Sequence, residues 1–232
     1  MIKYNCNVDY FKNIDTEDKA YWLGFIYADG CVTKDHKKLI INLSPVDIYH
    51  LKLFNDCINS DYHISYLDNN RYVSLSISNK QFVENLIDKG CVPRKSLILQ
   101  FPDERQVPKH LLRHFIRGYF DGDGCLHTSM NKRKNKPRAY LECEVNFLGT
   151  YDMLNGIIAN IPLNNIEIKE FGKIYKFRVH SRQNIVTLLD YLYEDSYFYL
   201  QRKYQTYIYD VKQHINLNNN TTILYNPVTI KG

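Results

Sequence analysis

The sequence has no CxxC pair and no histidine spacing suited to zinc, although it holds six cysteines: Cys6, Cys31, Cys57, Cys91, Cys125 and Cys143. That excludes a metal-stapled module as the reading. No secretory signal precedes those cysteines, which points to reduced thiols and to the cytoplasm or an organellar matrix rather than secretion. No apolar run approaches the roughly 20 residues that span a bilayer. Charge of one sign is also scarce, since 30 Lys and Arg face 25 Asp and Glu for a net charge of +5. Such an excess is compatible with a polyanionic partner but too small to identify one. Tyrosine is abundant at 20 residues, alongside many Asn, Ile and Lys; AT-rich coding gives this bias, and no aromatic cage is read from it.

What the chain does have is a repeat. Tyr21-Trp22-Leu23-Gly24-Phe25-Ile26-Tyr27-Ala28-Asp29-Gly30 returns as Phe115-Ile116-Arg117-Gly118-Tyr119-Phe120-Asp121-Gly122-Asp123-Gly124. Each copy reads as a helix. Asp15 or Thr16 can cap the first, with Glu17 and Asp18 in its first turn, and Pro108 can open the second. Gly30 and Gly124 are expected to end them as C-caps. Ala20, Gly24 and Ala28 line one side of the first helix, and Gly118 and Gly122 one side of the second, at i, i+4 spacing. Glycine inside a helix costs about 1 kcal/mol against alanine, so matched glycines predict two helices in close contact. Asp29 and Asp123 then meet at two helix C-termini, where the dipole is already negative. Carboxylates gathered there either share a proton or bind a divalent metal, for which oxygen-only ligation favours magnesium. Metal-assisted phosphodiester hydrolysis is the leading chemistry.

Around this repeat the elements recur in order. In the first half, strands at Cys31–Thr33 and Leu39–Leu43 flank a basic turn, followed by a helix over Val46–Ile58. A hairpin of Tyr62–Leu67 and Tyr72–Ser78 and a helix over Lys80–Asp88 complete that half. The second half offers strands near Leu126 and over Tyr140–Leu148, and a helix over Tyr151–Asn160. Strands Ile166–Phe171 and Tyr175–His180 and a helix over Gln183–Tyr193 follow. The fold class is α+β, two pseudo-symmetric αββαββα repeats joined through the motif helices. Pro93–Pro108 reads as an ordered linker, and the low-complexity Asn216–Thr222 as part of a mobile tail.

The two stretches resemble the signature of the LAGLIDADG homing endonucleases, over about residues 15 to 210. The resemblance implies repeats at 1–104 (with the linker) and 105–215 and a tail at 216–232, with antiparallel sheets forming a saddle for duplex DNA. It implies that Asp29 and Asp123 hold the metal, Mg2+ or Mn2+, and that Lys95 and Lys203, each following the last helix of a repeat, reach the active site. The first motif departs at Trp22, Leu23 and Tyr27, the second at Arg117. Where the family often has a water-organising glutamine, this chain reads Leu43-Ser44-Pro45 and Phe147-Leu148-Gly149. The implied activity is that of a monomeric nuclease cutting both strands at a long, asymmetric site. Rival readings are an RNA-binding intron maturase and a DNA-binding regulator that has lost cleavage. An intein is not expected, since neither a starting nucleophile nor a closing His-Asn pair is present.

Recognition should fall to the outward members of the strand alternations. These are Asn42 and Ser44; Tyr72, Ser74, Ser76 and Ser78; Tyr140, Glu142, Glu144 and Asn146; and Lys176, Arg178 and His180. A solvated antiparallel sheet gives the same pattern, least convincingly for the three basic-capable side chains. Lys132, Arg133, Lys134, Lys136 and Arg138 crowd five basic residues into seven positions, enough to grip phosphates without reading sequence.

Overall fold

The computed structural model describes residues 4–132 and 140–213. Helix α1 (Glu17–Asp29) leads into strands β1 (Gly30–Val32) and β2 (Leu39–Leu43), helix α2 (Ile48–Cys57), strands β3 (Ile64–Leu67) and β4 (Tyr72–Ile77) and helix α3 (Lys80–Asp88). The second half repeats the order with α4 (Leu112–Asp123), β5 (Gly124–Asn131), β6 (Tyr140–Gly149), α5 (Tyr151–Ala159), β7 (Ile168–Phe171), β8 (Ile174–Val179) and α6 (Arg182–Tyr193). The strands form two antiparallel sheets, β1-β2-β4-β3 and β5-β6-β8-β7. The two sheets therefore share one topology, as the duplicated order predicts. No described helix is long and apolar enough to cross a membrane.

Alternation decides which face of each sheet is buried. Ile41, Val73 and Leu75 in the first sheet, and Val145, Phe147, Phe177 and Val179 in the second, turn toward the helices and are buried. Phe11, Trp22, Phe54 and Phe82 fill the first half of the core, with Trp22 against Phe54 at 4.9 Å between ring centroids. In the second half Phe147 lies between Phe120 and Phe177 at 5.0 and 4.8 Å. Tyr10 and Phe11, ahead of the first motif helix, are buried against this core.

The halves join along α1 and α4. A Cβ on Gly24 would lie 2.0 Å from the Phe115 carbonyl oxygen, and one on Gly118 would lie 1.9 Å from that of Tyr21. Each glycine thus lets the facing backbone approach to a distance no side chain permits. Beside this contact Arg117 is fully buried. Its Nη2 donates to Glu17 Oε1 at 2.6 Å and its Nε to the Phe198 carbonyl at 2.7 Å. His114 is pushed down to about 4 by burial and then by the Arg117 charge, so its neutral Nδ1 accepts from Arg117 Nη1 at 2.9 Å. A motif position that departs from the family pattern is therefore an internal ion pair linking the two helices, with its donors satisfied.

Gly30 and Gly124 end the motif helices, as expected, and do so at φ −76° and −82°, in extended rather than left-handed backbone. They open β1 and β5, and a Cβ there would strike Ile26 Cγ2 at 2.6 Å or Phe120 Cδ2 at 2.1 Å. Thr16 makes no side-chain cap to α1; its hydroxyl donates to Asp18. A further helix, α7 (Gln201–Gln205), continues as a π-helix over Thr206–Lys212. Its buried residues Leu200, Lys203, Tyr207 and Val211 carry the helical spacing that would have revealed it. The expected tail at 216–232 lies outside the described residues.

Candidate active site and nucleic-acid interface

Because α1 and α4 touch along their glycines, their C-terminal residues Asp29 and Asp123 come together. A Cβ on Gly122 would lie 3.3 Å from Asp29 Oδ2. Asp29 is pushed up to about 6, first by burial and then by the charge of Asp123. Asp123 is also raised by burial, against the opposing pull of Lys95 and Lys203. The pair is short of positive charge, as two carboxylates at helix C-termini must be.

Lys95 and Lys203 both reach this point and do the same job in each half. Lys95 Nζ donates to the Ala28 carbonyl at 2.8 Å, at the end of α1. Lys203 Nζ donates to the carbonyls of Phe120, Asp121 and Gly124 at 2.6, 2.9 and 2.5 Å, at the end of α4. Each lysine donates to carbonyls at a helix C-terminus and lays a cation on its negative end. Burial pulls Lys203 down to about 8, so it remains largely protonated at neutral pH. Arg94, just before Lys95, sits in the left-handed region at φ 56°, which turns the chain so that the lysine points inward.

Three neighbouring residues acquire roles that the motif alone does not show. Asp121 is fully buried and accepts from the Tyr21 and Tyr193 hydroxyls at 2.8 and 2.6 Å and from Leu200 N at 2.7 Å. It is an anchor for the segment that delivers Lys203, not a free carboxylate. At its counterpart position Tyr27 donates to the Lys89 carbonyl, tying down the segment that delivers Lys95. Arg202, half exposed, places Nε 3.1 and 3.2 Å from the two oxygens of the buried Asp47 and adds positive charge near Asp29. Asp47 carried no signal, because its partner lies 155 positions away.

The donors at the helix ends suit a hard divalent cation. Among the described residues no group of three or more His, Cys, Asp or Glu that could hold a metal converges, and the acidic side chains at the paired helix ends are Asp29 and Asp123. Magnesium is commonly held this way, by one or two carboxylates with water and substrate phosphate completing the shell. The raised pKa of both carboxylates is the deficit such a cation would relieve.

The outward sheet faces flank the carboxylates, since β1 and β5 begin at the residues after Asp29 and Asp123. Asn42 and Ser44 are exposed, as are Tyr72 and Ser78, while Ser76 is half buried. Ser74 faces outward but is only 7% exposed, because it lies in register between Asn42 and Ser65 on an inner strand. Asn146 is likewise nearly covered, and its Nδ2 donates to Glu144 at 3.1 Å. Neither is the free reader that alternation predicts. Glu142 is exposed and accepts from Asn131, and Tyr140 is half buried. Lys176, Arg178 and His180 share one face around Glu144, as predicted. Strand β5 adds Cys125, His127 and Ser129 to that face, in register with Asn146, Glu144 and Glu142. The alternation of those polar residues with Leu126, Thr128 and Met130 was the available signal. Lys132 is exposed, and Arg133, Lys134, Lys136 and Arg138 lie outside the described residues.

Residues 116–219 match the family model for the LAGLIDADG endonuclease. Among solved structures, the chain is similar to the LAGLIDADG homing endonuclease I-LtrWI bound to target DNA, with TM-score 0.61, 12% identity and 92% of each chain covered. It is also similar to the LAGLIDADG meganuclease I-AabMI bound to uncleaved DNA, with TM-score 0.58, 15% identity, and 86% of this chain and 89% of that one covered. A third likeness is I-SmaMI bound to an uncleaved DNA target in the presence of calcium ions, with TM-score 0.59, 13% identity, and 87% and 93% covered. No curated protein matches the sequence. At these identities the structural likenesses speak for the fold. The sequence match covers the second repeat, and the fold of the whole, two motif repeats in a single chain, is that of the LAGLIDADG meganucleases.

Proposed function

We propose that this protein is a site-specific endonuclease that hydrolyses phosphodiester bonds in both strands of duplex DNA, using a divalent metal held at Asp29 and Asp123. The observation that carries the reading is the meeting of these two half-buried carboxylates, each beside a lysine-capped helix end, between two outward-facing antiparallel sheets. A bound Mg2+ or Mn2+ would supply charge neutralisation at the scissile phosphate and a more acidic water. The protein's own contribution is electrostatic and positional. Lys95 and Lys203 hold their ammonium groups on fixed carbonyls and present positive charge to the phosphates without reorganising. Arg202, fixed on Asp47, adds a third cation near Asp29. The sheets supply base contacts, and the segment 132–138 supplies phosphate contacts. The chain works as a monomer on a long, asymmetric site, because both motifs and both sheets lie in one polypeptide.

The test is cleavage of duplex carrying the DNA that flanks the coding sequence, with the insertion removed, in Mg2+ or Mn2+. Wild type is expected to cut both strands. Asp29→Asn and Asp123→Asn should abolish double-strand cleavage while DNA affinity stays within about tenfold, since phosphate contacts survive. Wild-type-like cleavage by either variant would refute the metal assignment. Tight binding of structured RNA with no cleavage of any duplex would favour a splicing role instead.

A further inference from the structure

The outward face of the second sheet carries a charge arrangement without a counterpart in the first. Glu144, on β6, lies 3.6 Å from Arg178 Nε, 3.6 Å from His180 Nδ1 and 4.0 Å from Lys176 Nζ, and accepts from Asn146 Nδ2 at 3.1 Å. Gly30 pairs with Ile41 and Gly124 with Phe147, so the position of Glu144 is occupied in the first sheet by Lys38. By the same matching, Asn146 corresponds to Ile40, and Arg178 to Ser76. The sign of the charge is inverted between the halves, and the inversion coincides with the appearance of an arginine.

A carboxylate on a surface that meets phosphates is unfavourable in itself, since it repels the polyanion and lowers affinity for every sequence. Its presence at the centre of three basic side chains calls for a benefit other than affinity. The side chain of Lys176 is 15% exposed and that of Arg178 49%. Lys176 lies partly covered, 5.4 Å from the Phe171 ring centroid, so the group with room to reach a base is the arginine. The carboxylate approaches Arg178 from the Nε side, as an ion pair at 3.6 Å and not a hydrogen bond, and neither Nη group has a hydrogen-bond partner among the described residues. A guanidinium approached at Nε keeps both Nη groups available in one plane, which is the fork that matches guanine O6 and N7. Serine at the matching place in the first sheet offers neither the reach nor the fork.

We infer that Glu144 is a positioning residue that fixes Arg178 for bidentate recognition of one guanine in the half-site beneath the second sheet. The inference rests on the proposed DNA-binding function. Glu144 trades general affinity for discrimination, by reducing the freedom that the arginine side chain gives up on binding.

The experiment is selection of binding sites from a randomised duplex library without divalent metal, by wild type, Glu144→Gln, Glu144→Asp and Arg178→Lys. Affinity for random-sequence duplex is measured alongside. Wild type is expected to select guanine at one position that Arg178→Lys no longer selects. Glu144→Gln should lose about tenfold of preference at that same position, while binding random duplex at least as tightly as wild type. Glu144→Asp, which keeps the charge on a shorter stem, should retain part of the preference. A merely structural role would weaken binding to all sequences alike, and that outcome overturns the inference. So does a Glu144→Gln protein that keeps the guanine preference absent from Arg178→Lys, or a wild type that selects a site with no guanine dependent on Arg178. A wild type that selects no sequence at all would instead overturn the functional reading itself, and the inference with it.

Discussion

Across the two outward sheet faces, register-matched positions read Ser74 against Lys176 and Ser76 against Arg178, with Lys38 against Glu144. Along the line where the halves touch, the matched positions read Gly24 against Gly118, Asp29 against Asp123 and Lys95 against Lys203. The contrast has a physical origin. A close helix contact with carboxylates at its end tolerates few side chains, because any Cβ at the glycines meets backbone and any uncompensated charge stays buried. An outward sheet face is constrained only by alternation, so its chemistry is free to diverge between copies. Where the shared line does differ, the difference is compensated: Asp121 and Tyr27 occupy one position and both anchor the segment that brings in the lysine.

The largest effect is expected from breaking the shared line. Gly24→Ala and Gly118→Ala each place a methyl about 2 Å from a carbonyl oxygen of the other helix. The helices must separate, at a cost of about 3 kcal/mol or more. Gly172→Ala has nothing within 4 Å and is penalised only by its φ of 64°, about 1 kcal/mol. Urea denaturation checks the ranking, and equal losses for Gly24→Ala and Gly172→Ala would contradict the close helix contact.

Next comes the charge at the centre of that line. Asp29, raised to about 6, holds in the folded protein a proton that the unfolded chain has released by then. Stability without metal therefore falls as pH rises from about 4 to about 6, by no more than about 3 kcal/mol. Asp29→Asn removes this penalty. In chelator at pH 7 to 8 the variant should melt above wild type, with the gap closing below about pH 4 and narrowing when Mg2+ stabilises wild type. A pH-independent difference would mean that burial does not raise this carboxylate.

The motif helices, both sheets and their order could be read from the sequence because the repeat displays them twice, in periodicities of 3.6 and 2 that burial then obeys. Asp29 and Asp123 were legible for the same reason. Two things were not. Partners distant in the chain, such as Glu17 with Arg117 and Asp47 with Arg202, leave no local pattern. Alternation identified the outward face but not how covered each position is, so Ser74 and Asn146 read as free when inner-strand neighbours and Glu144 occupy them.

Turning to the faces, Arg178→Ala should cost roughly 1 to 3 kcal/mol of discrimination at one or two base pairs. Its register counterpart Ser76→Ala should cost no more than about 1 kcal/mol. A cleavage profile over all single-base variants of the target measures both. Greater sensitivity in the half-site under the second sheet sharpens the contrast, and equal sensitivity in the two halves removes it.

The smallest effect is expected where the halves differ in charge without reading bases. The segment joining β1 and β2 carries Lys34, Lys37 and Lys38, but Asp35 lies 3.9 Å from Lys37 and offsets part of that charge. The segment joining β5 and β6 carries Lys132, Arg133, Lys134, Lys136 and Arg138 with no acid among them. Neutralising Lys132, Arg133 and Lys134 together should therefore weaken binding to all duplexes alike, leaving the order of preferred sequences intact. It should also flatten the dependence of log affinity on log salt by up to about 0.9 for each phosphate that the variant no longer neutralises. The same treatment of Lys34, Lys37 and Lys38 should flatten it less, because a lysine already facing an aspartate displaces fewer counterions on binding. Titrations at several salt concentrations decide the matter: equal slopes for the two triple variants would show that the halves grip the phosphate backbone alike, and that their divergence is confined to the strands that face the bases.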